Sequence, residues 1–345
     1  MDASCRVGIS HCGTEKTRDQ QLIPVNETFL AIINPAAGGG RCRQFVDSVM
    51  TRLRSAGISI DVAETNAPGD ATRIARDTYR RGVRRFLAVG GDGTSYEIVN
   101  GLFPDCAARL SDSPAKSSTP VGDAPYIPTL GFLPLGTGNS FLRDFSDPKA
   151  PDRGLEHALR AIEAKDSRAC DVLRLAHKHG ELYFINLASV GFAADVAALR
   201  DRRFRRFGHA GYLASIFLSL ARLKRRPFPV RVNSQNEFDR RPCLFLSFNN
   251  SKFTGGTMMI APDARTDDGL IEYVRWGPIG RLGLLRNLAT LYDGTHTRHP
   301  LAERQAVRRV EFQLQGPVDV MVDGEVMKLE CQTIDVLPSA LKVVV

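Results

Sequence analysis

A chain of 345 residues is longer than one hydrophobic core usually serves, so two domains are expected. Its apolar fraction of 43% suits a globular protein, yet no run approaches the ~18 apolar residues of a membrane-crossing helix. The net charge of +8 leaves nucleic acid, an anionic membrane and an anionic substrate as candidate partners, while seven scattered cysteines without a CxxC pair argue against a disulfide framework or zinc site and fit a reducing, cytoplasmic setting.

Residues 1–26 are polar, carry both signs of charge and lack the apolar core of a secretory signal; a disordered leader is expected there. An apolar strand at 29–33 ends at Asn34-Pro35 and is followed by Gly38-Gly39-Gly40. Helical spacing through Phe45, Val49 and Leu53 predicts a helix over 41–56. A second strand at 58–62 leads to Thr65, and a helix over 70–80 is capped near Gly69-Asp70. A third strand at 85–89 ends at Gly90-Gly91-Asp92-Gly93-Thr94, then a helix runs through Ile98, Val99 and Leu102. Residues 105–125, rich in Ser, Pro, Ala and Asp, read as a flexible loop. A strand at 129–133 reaches Pro134-Leu135-Gly136-Thr137-Gly138-Asn139, and a helix over 153–164 closes this half. Strands alternating with helices predict an α/β domain over 27–165 with a parallel, doubly wound sheet.

From 166 onwards the period changes to two. Segments at 172–176, 182–187, 230–233, 243–248, 270–274, 307–314, 318–322 and 341–345 predict a mostly antiparallel β-sandwich over 166–345, interrupted by two or three helices. His177 and His179 flank one lysine in a hairpin turn and match no zinc spacing. Arg200, Arg202, Arg203, Arg205 and Arg206, then an apolar run over 212–220, then Lys224, Arg225 and Arg226 give a basic–apolar–basic order. Such an order suits a face against anionic lipid, and equally a solvated arginine face beside a core helix. No RNA-binding aromatic signature accompanies the charge, so nucleic acid is not an expected partner.

The chemistry gathers at strand ends. Ligands of open α/β sheets bind beyond the carboxyl ends of the strands, where glycines allow close backbone approach to phosphate and a following helix offers its positive end. Three glycine-bearing ends fall on one edge: Asn34-Pro35 with the Gly38 run, Gly90 to Thr94, and Gly136 to Asn139. Asp92 would repel bare phosphate, and makes sense as a Mg²⁺ anchor in a solvent-facing loop. Neither the GxxxxGKS phosphate loop nor a GxGxxG dinucleotide fingerprint is present.

Together these segments resemble the diacylglycerol kinase catalytic family, which includes bacterial lipid kinases, sphingosine kinases and ceramide kinases, over roughly residues 27–345. The resemblance implies an ATP-binding first domain and a β-sandwich second domain bordering a lipid cleft. It implies nucleotide contacts at Asn34, Pro35, Thr65, Gly90, Gly91, Asp92, Gly93, Thr94, Glu97, Gly136, Thr137 and Asn139. It also implies a structural Mg²⁺ held by the Asp268 side chain with the carbonyls of Arg265 and Leu270. Asp323-Gly324-Glu325 matches the late acidic motif that supplies the base. Glu325 is the first candidate, with Asp323 orienting it or reaching Mg²⁺ through water; the reverse assignment stays open. Read without the resemblance, the pair is an Asp-Gly hairpin turn followed by a surface glutamate.

Ser95, Tyr96 and Ser140 depart from the family pattern, and only about twenty residues follow Glu325, so any return to the first domain must be short. The expected function is an ATP- and Mg²⁺-dependent lipid kinase, cytoplasmic and peripheral to an anionic membrane; whether it forms a homodimer stays open. The rival readings are an NAD kinase-like enzyme, which shares the GGDGT loop, and a non-catalytic lipid-binding regulator.

Overall fold

The apolar runs of the first half become four parallel strands. The computed structural model describes residues 27–112, 124–146, 154–204, 208–233 and 235–345; the expected leader lies outside them. Strands β1 (Phe29–Ile33), β2 (Ile60–Glu64), β3 (Arg85–Gly90) and β4 (Thr129–Pro134) pair in the order β2-β1-β3-β4. Helix α1 (Arg41–Ser55) buries Val46, Val49, Met50 and Leu53 on one face of this sheet. Phe45, expected on that stripe, is 43% exposed, because the buried stripe runs through its neighbour Val46. On the other face lie α2 (Asp70–Arg80), through Ala71, Ala75 and Tyr79, and α3 (Asp92–Leu102), through Ile98, Val99 and Leu102. The two helices cross closely: a Cβ on Gly101 would meet the Thr72 carbonyl oxygen at 2.4 Å.

The expected loop over 105–125 opens instead with α4 (Asp105–Asp112), which buries Cys106 and Ala107 in the first core. Residues 113–123 lie outside the described residues. Helix α5 (Leu155–Ala164) packs Leu159 and Ile162 beside α1. Strand order reverses between β1 and β3, so their connections leave in opposite directions and open a crevice at the carboxyl edge.

The second half builds two antiparallel layers. Strands β5 (Arg168–His177) and β6 (Gly180–Phe184) form a hairpin whose turn carries Lys178 and His179. They are followed by β7 (Leu187–Gly191), α6 (Phe192–Leu199) and α7 (Gly208–Ala221). Next come β8 (Arg226–Pro227), β9 (Val230–Val232), β10 (Pro242–Cys243), β11 (Phe245–Asn249) and the small hairpin of β12 (Phe253–Thr254) and β13 (Met258–Met259). Then β14 (Ile271–Trp276), α8 (Arg281–Asn287) and α9 (Thr290–Asp293) precede β15 (Ala302–Val307), β16 (Arg309–Phe312), β17 (Val318–Val322), β18 (Glu325–Leu329) and β19 (Cys331–Val344). The strand expected over 307–314 is divided at Arg308 between β15 and β16, which belong to different sheets. One layer is the six-stranded sheet β15-β14-β11-β7-β17-β18. Its inner face, with Val190, Phe248, Ile271, Val320 and Val322, packs on Leu173, Leu175, Val310, Phe312 and Ile334 of the opposite layer.

That opposite layer is continuous with the first domain. The strand expected at 341–345 begins ten residues earlier, as the 14-residue β19. It pairs antiparallel with β5 and β16, then Lys342, Val343 and Val344 pair parallel with Thr129, Leu130 and Gly131 of β4. One nine-stranded sheet thus runs through both halves. A register shift between Leu337 and Leu341, with Ser339 at φ 50°, turns the strand from one core to the other. No helix among the described residues is long and apolar enough to cross a membrane.

Candidate active site

The three glycine-bearing strand ends meet backbone to backbone. Gly136 N–H donates to the Gly90 carbonyl oxygen at 2.8 Å. A Cβ on Gly136 would lie 2.4 Å from Gly91 Cα, and one on Gly38 would lie 2.5 Å from the Leu135 carbonyl oxygen. Only glycine allows this approach, and Gly38, at φ +64°, also holds a left-handed backbone. Asn34 is fixed at the same edge: its N–H donates to the Val89 carbonyl oxygen at 3.0 Å and its Oδ1 accepts from Ala36 N–H at 3.1 Å. Pro35 continues that turn, and Thr65 N–H donates to the Ile33 carbonyl oxygen at 2.9 Å, next to Asn34. Thr137 is exposed on the rim, whereas Asn139 is held at φ 49° with its Nδ2 donating to the Gly136 carbonyl oxygen at 3.2 Å. Thr94 is buried, and its Oγ1 has no hydrogen-bond partner among the described residues.

Two carboxylates sit differently from expectation. Asp92 is only half-exposed: both of its oxygens accept from Ser140 N–H at 3.0 Å, and a Cβ on Gly138 would meet its Oδ2 at 2.6 Å. Burial pushes its carboxyl up, opposed by the N–H groups of Ser140 and Phe141. Asp92 therefore braces the loop after β4 against the start of α3. Glu97 is engaged by another helix. Its oxygens accept from Gly69 N–H at 3.0 Å and Ala71 N–H at 3.1 Å, tying α3 to the N-terminus of α2.

The late acidic motif reaches this edge from the six-stranded sheet. Asp323 and Gly324, at φ 47° and 92°, form the turn between β17 and β18, so the Asp-Gly hairpin is real and Glu325 opens the return strand. The Asp323 carboxylate is buried and accepts from the N–H groups of Ile185, Asn186 and Leu187, each at 3.0 Å. Burial pushes its pKa up to about 7 against those three donors, with Asp92 adding a smaller push in the same direction. Glu325 is exposed, and its Oε1 lies 2.9 Å from the position of a Cβ on Gly93. Tyr96, on α3, packs against the sandwich core; burial raises its hydroxyl pKa, and Asp323, Glu325 and Glu97 raise it further.

The loop to which the resemblance assigns a structural cation makes its own contacts. Asp268 Oδ1 accepts from Leu270 N–H at 2.9 Å, and the Arg265 side chain pairs with Asp267 at 3.3 Å. Beneath them lies Asp171, fully buried, accepting from Gly269 N–H at 2.6 Å and Ser339 N–H at 2.7 Å. Burial raises the carboxyls of Asp171, Asp268 and Glu272, and neighbouring carboxylates add to each. Sequence reasoning missed Asp171; its signal is one aspartate in the otherwise apolar stretch Cys170-Asp171-Val172-Leu173. Among the described residues no three His, Cys, Asp or Glu side chains are grouped to hold a metal. A cation at this loop would depend on the Asp268 carboxylate and backbone carbonyls.

Two contacts close the domains over the cleft. Gly256 N–H, in the β12–β13 turn, donates to Ser140 Oγ at 2.9 Å. Asp144 Oδ2 accepts from Lys252 N–H at 3.0 Å, with Lys252 Nζ 3.5 Å from its other oxygen.

Comparison with known proteins agrees with this layout. Residues 28–175 match the diacylglycerol kinase catalytic domain, and residues 186–345 match the YegS C-terminal NAD kinase beta sandwich-like domain. The chain is 32% identical over 295 residues to the "Probable lipid kinase YegS-like" of Xanthomonas euvesicatoria pv. vesicatoria, spanning 84% of this chain and 88% of that protein. It is 30% identical over 297 residues to the protein of the same name from Chromohalobacter salexigens, spanning 86% and 87%. Its fold is similar to the crystal structure of a diacylglycerol kinase from Bacillus anthracis str. Sterne, with a TM-score of 0.63 at 19% identity over 92% of this chain and 96% of that one. With the catalytic domain and its sandwich partner matched in series, the chain belongs to the diacylglycerol kinase catalytic family of lipid kinases.

Proposed function

We propose that this chain transfers the γ-phosphate of ATP to the hydroxyl of a membrane lipid, such as diacylglycerol, a long-chain base or ceramide, while bound peripherally to a cytoplasmic membrane surface. The observation that supports this most is the meeting of Glu325 with the glycine loop at Gly93. It sets a proton acceptor from one domain beside the phosphate edge of the other.

In this reading the phosphates of ATP lie along Asn34, Pro35, Thr65, Gly90 to Thr94, Gly136, Thr137 and Asn139. The free N–H groups and positive end of α3 face them. Glu97 acts at one remove, by fixing α2. Glu325 takes the proton of the lipid hydroxyl late, as the new P–O bond forms, because an alcohol is a poor acid. Asp323 is a positioning residue: it holds residues 185–187 and the turn from which Glu325 projects.

Mg²⁺ fits the Asp92 end of the edge. A carboxylate offers about four lone-pair sites, and the Ser140 and Phe141 N–H groups leave some of them open. When bound, the ion supplies neutralisation of phosphate charge. A second Mg²⁺ would depend on the Asp268 carboxylate and the carbonyls of Arg265 and Leu270.

Membrane docking would use the basic–apolar–basic segment. There, Arg202 pairs with Asp319 at 3.2 Å and Arg226 with Asp195 at 2.7 Å, which removes two of the eight cations. Arg205 and Arg206 lie outside the described residues.

The test is incubation of the purified protein with ATP, MgCl₂ and a panel of lipids in detergent, read by mass spectrometry. A phosphorylated lipid is the expected product. Phosphorylation of NAD⁺ with no lipid product would contradict the reading.

A further inference from the structure

Exposed apolar side chains are not spread evenly over this molecule. Among the described residues, large hydrophobics stand exposed at seven positions, and four of them, Leu282, Leu285, Tyr292 and Leu301, fall within twenty residues of one another. Leu282 is the most exposed, at 69%. Leu282 and Leu285 are three apart on α8 and share one side of it. Leu284 and Leu288 point the other way, into the core built on Trp276 and Leu291. Helix α8 is therefore apolar on both sides, although one of them faces water. Such a patch marks an interaction surface.

Positive charge lies beside it. Arg281 and Arg286 are exposed, and neither has a carboxylate partner among the described residues. Helix α7 packs on the same core through Ile216 and Leu220. Its Phe217 is 58% exposed, and Arg222, Lys224 and Arg225, beyond its end, are likewise exposed without a carboxylate partner. Arg174, by contrast, is paired with Asp335, and Arg241 with Asp239 and Glu303. Unpaired positive charge and exposed apolar side chains thus occur together on both helices that cover this core.

We infer that the α8–α9 face is the wedge by which this protein seats on an anionic bilayer, with Leu282, Leu285 and Tyr292 entering the headgroup boundary and Arg281 and Arg286 meeting lipid phosphates. The charge chooses the occupant: a bilayer of anionic lipid complements unpaired arginines around leucines. The inference rests on the lipid kinase reading for its purpose. It also explains how docking reaches the site. Gly294, which ends α9, lies against Met259 and Pro262. Met259 belongs to the β12–β13 hairpin, whose Gly256 N–H is bonded to Ser140 beside the glycine loop. One hairpin thus connects the wedge to the loop after β4.

Sedimentation with phosphatidylcholine vesicles, with and without phosphatidylglycerol, tests this on the full chain. Three proteins are compared: wild type, Leu282→Ser/Leu285→Ser and Arg281→Glu/Arg286→Glu. Both variants change exposed side chains, and melting curves check their folding. The expected result is wild-type binding that needs phosphatidylglycerol. The leucine variant should lose binding, and the arginine variant should weaken it roughly fivefold for each charge removed and more on reversal. Phosphorylation of a soluble short-chain lipid should stay within about twofold in both. Unchanged vesicle binding would overturn the inference, as would equal loss of activity on the soluble lipid. A wild-type dimer that the leucine variant converts to monomer, with vesicle binding intact, would overturn it in favour of self-association. Loss of vesicle binding in the variants, with no lipid phosphorylated by any protein, would support the wedge and defeat the kinase reading alone.

Discussion

Glu325 occupies the space that a side chain at position 93 would need. Its Oε1 lies 2.9 Å from the Cβ that any residue other than glycine would carry there. Gly93 is thus matched to a residue 232 positions away on the other domain's sheet. Gly93→Ala should push the carboxylate aside at little structural cost, since the far end of a flexible side chain can move. The expected outcome is a fall in kcat of about tenfold or more, because misplacing a catalytic group by about 1 Å is expensive. The melting temperature should change little. Steady-state kinetics with a lipid substrate and a melting curve check both parts.

Asp323 and Glu325 should separate cleanly by mutation. An asparagine at 323 offers one acceptor oxygen and sets an NH₂ against N–H donors that now share a carboxylate. Asp323→Asn should cost about 1–3 kcal/mol of stability through unsatisfied buried groups. Chemical denaturation measures it. Glu325 is exposed and should tolerate Gln without loss of stability.

Asp92→Ala should lower stability as well as activity, by on the order of 1 kcal/mol, because it leaves the Ser140 and Phe141 N–H groups without their acceptor. An intact melting temperature together with lost turnover would instead favour a role confined to Mg²⁺. Parallel denaturation and lipid phosphorylation assays distinguish the two.

The overall plan was legible because strand ends speak locally. Apolar runs that stop at Asn34, Gly90 and Pro134 marked both the parallel strands and their glycine-bearing edge, where Gly38 and Gly136 allow close backbone approach. The direction of a carboxylate is a tertiary matter and has no local sign. Asp92 turns inward because Ser140 N–H happens to be there, and Glu97 turns to α2 because that helix starts beside it. The length of β19 was hidden by Asp335, Pro338 and Ser339, which interrupt its alternation where the strand passes from the sandwich core to the first core. Helix α4 was hidden by the polar, Pro-containing segment that follows it in sequence.

The lobe around Trp276 should be acid-sensitive. His296 is buried; burial lowers its pKa, opposed by hydrogen bonds to the backbone of Thr290 and Ile260 and by Asp293. The folded state favours the neutral ring, so this contribution is complete above the ordinary histidine pKa near 6.5 and is lost as pH falls below it. The melting temperature of the wild type should therefore drop as the pH falls below about 6.5. His296→Gln should be less stable at neutral pH but show a flatter acid limb. A pH series of thermal melts reads both.

The central claim is that Glu325 accepts a proton from a lipid hydroxyl while the glycine loop holds ATP. Its most direct test is transfer of γ-³²P from ATP to lipid by the wild type and by Glu325→Gln, with apparent ATP affinity measured in both. The expected result is a labelled lipid phosphate from the wild type, a loss of kcat of about 10²–10⁴-fold in the variant, and unchanged ATP affinity. A variant that labels lipid at the wild-type rate, or one that loses only its affinity for lipid, would contradict it.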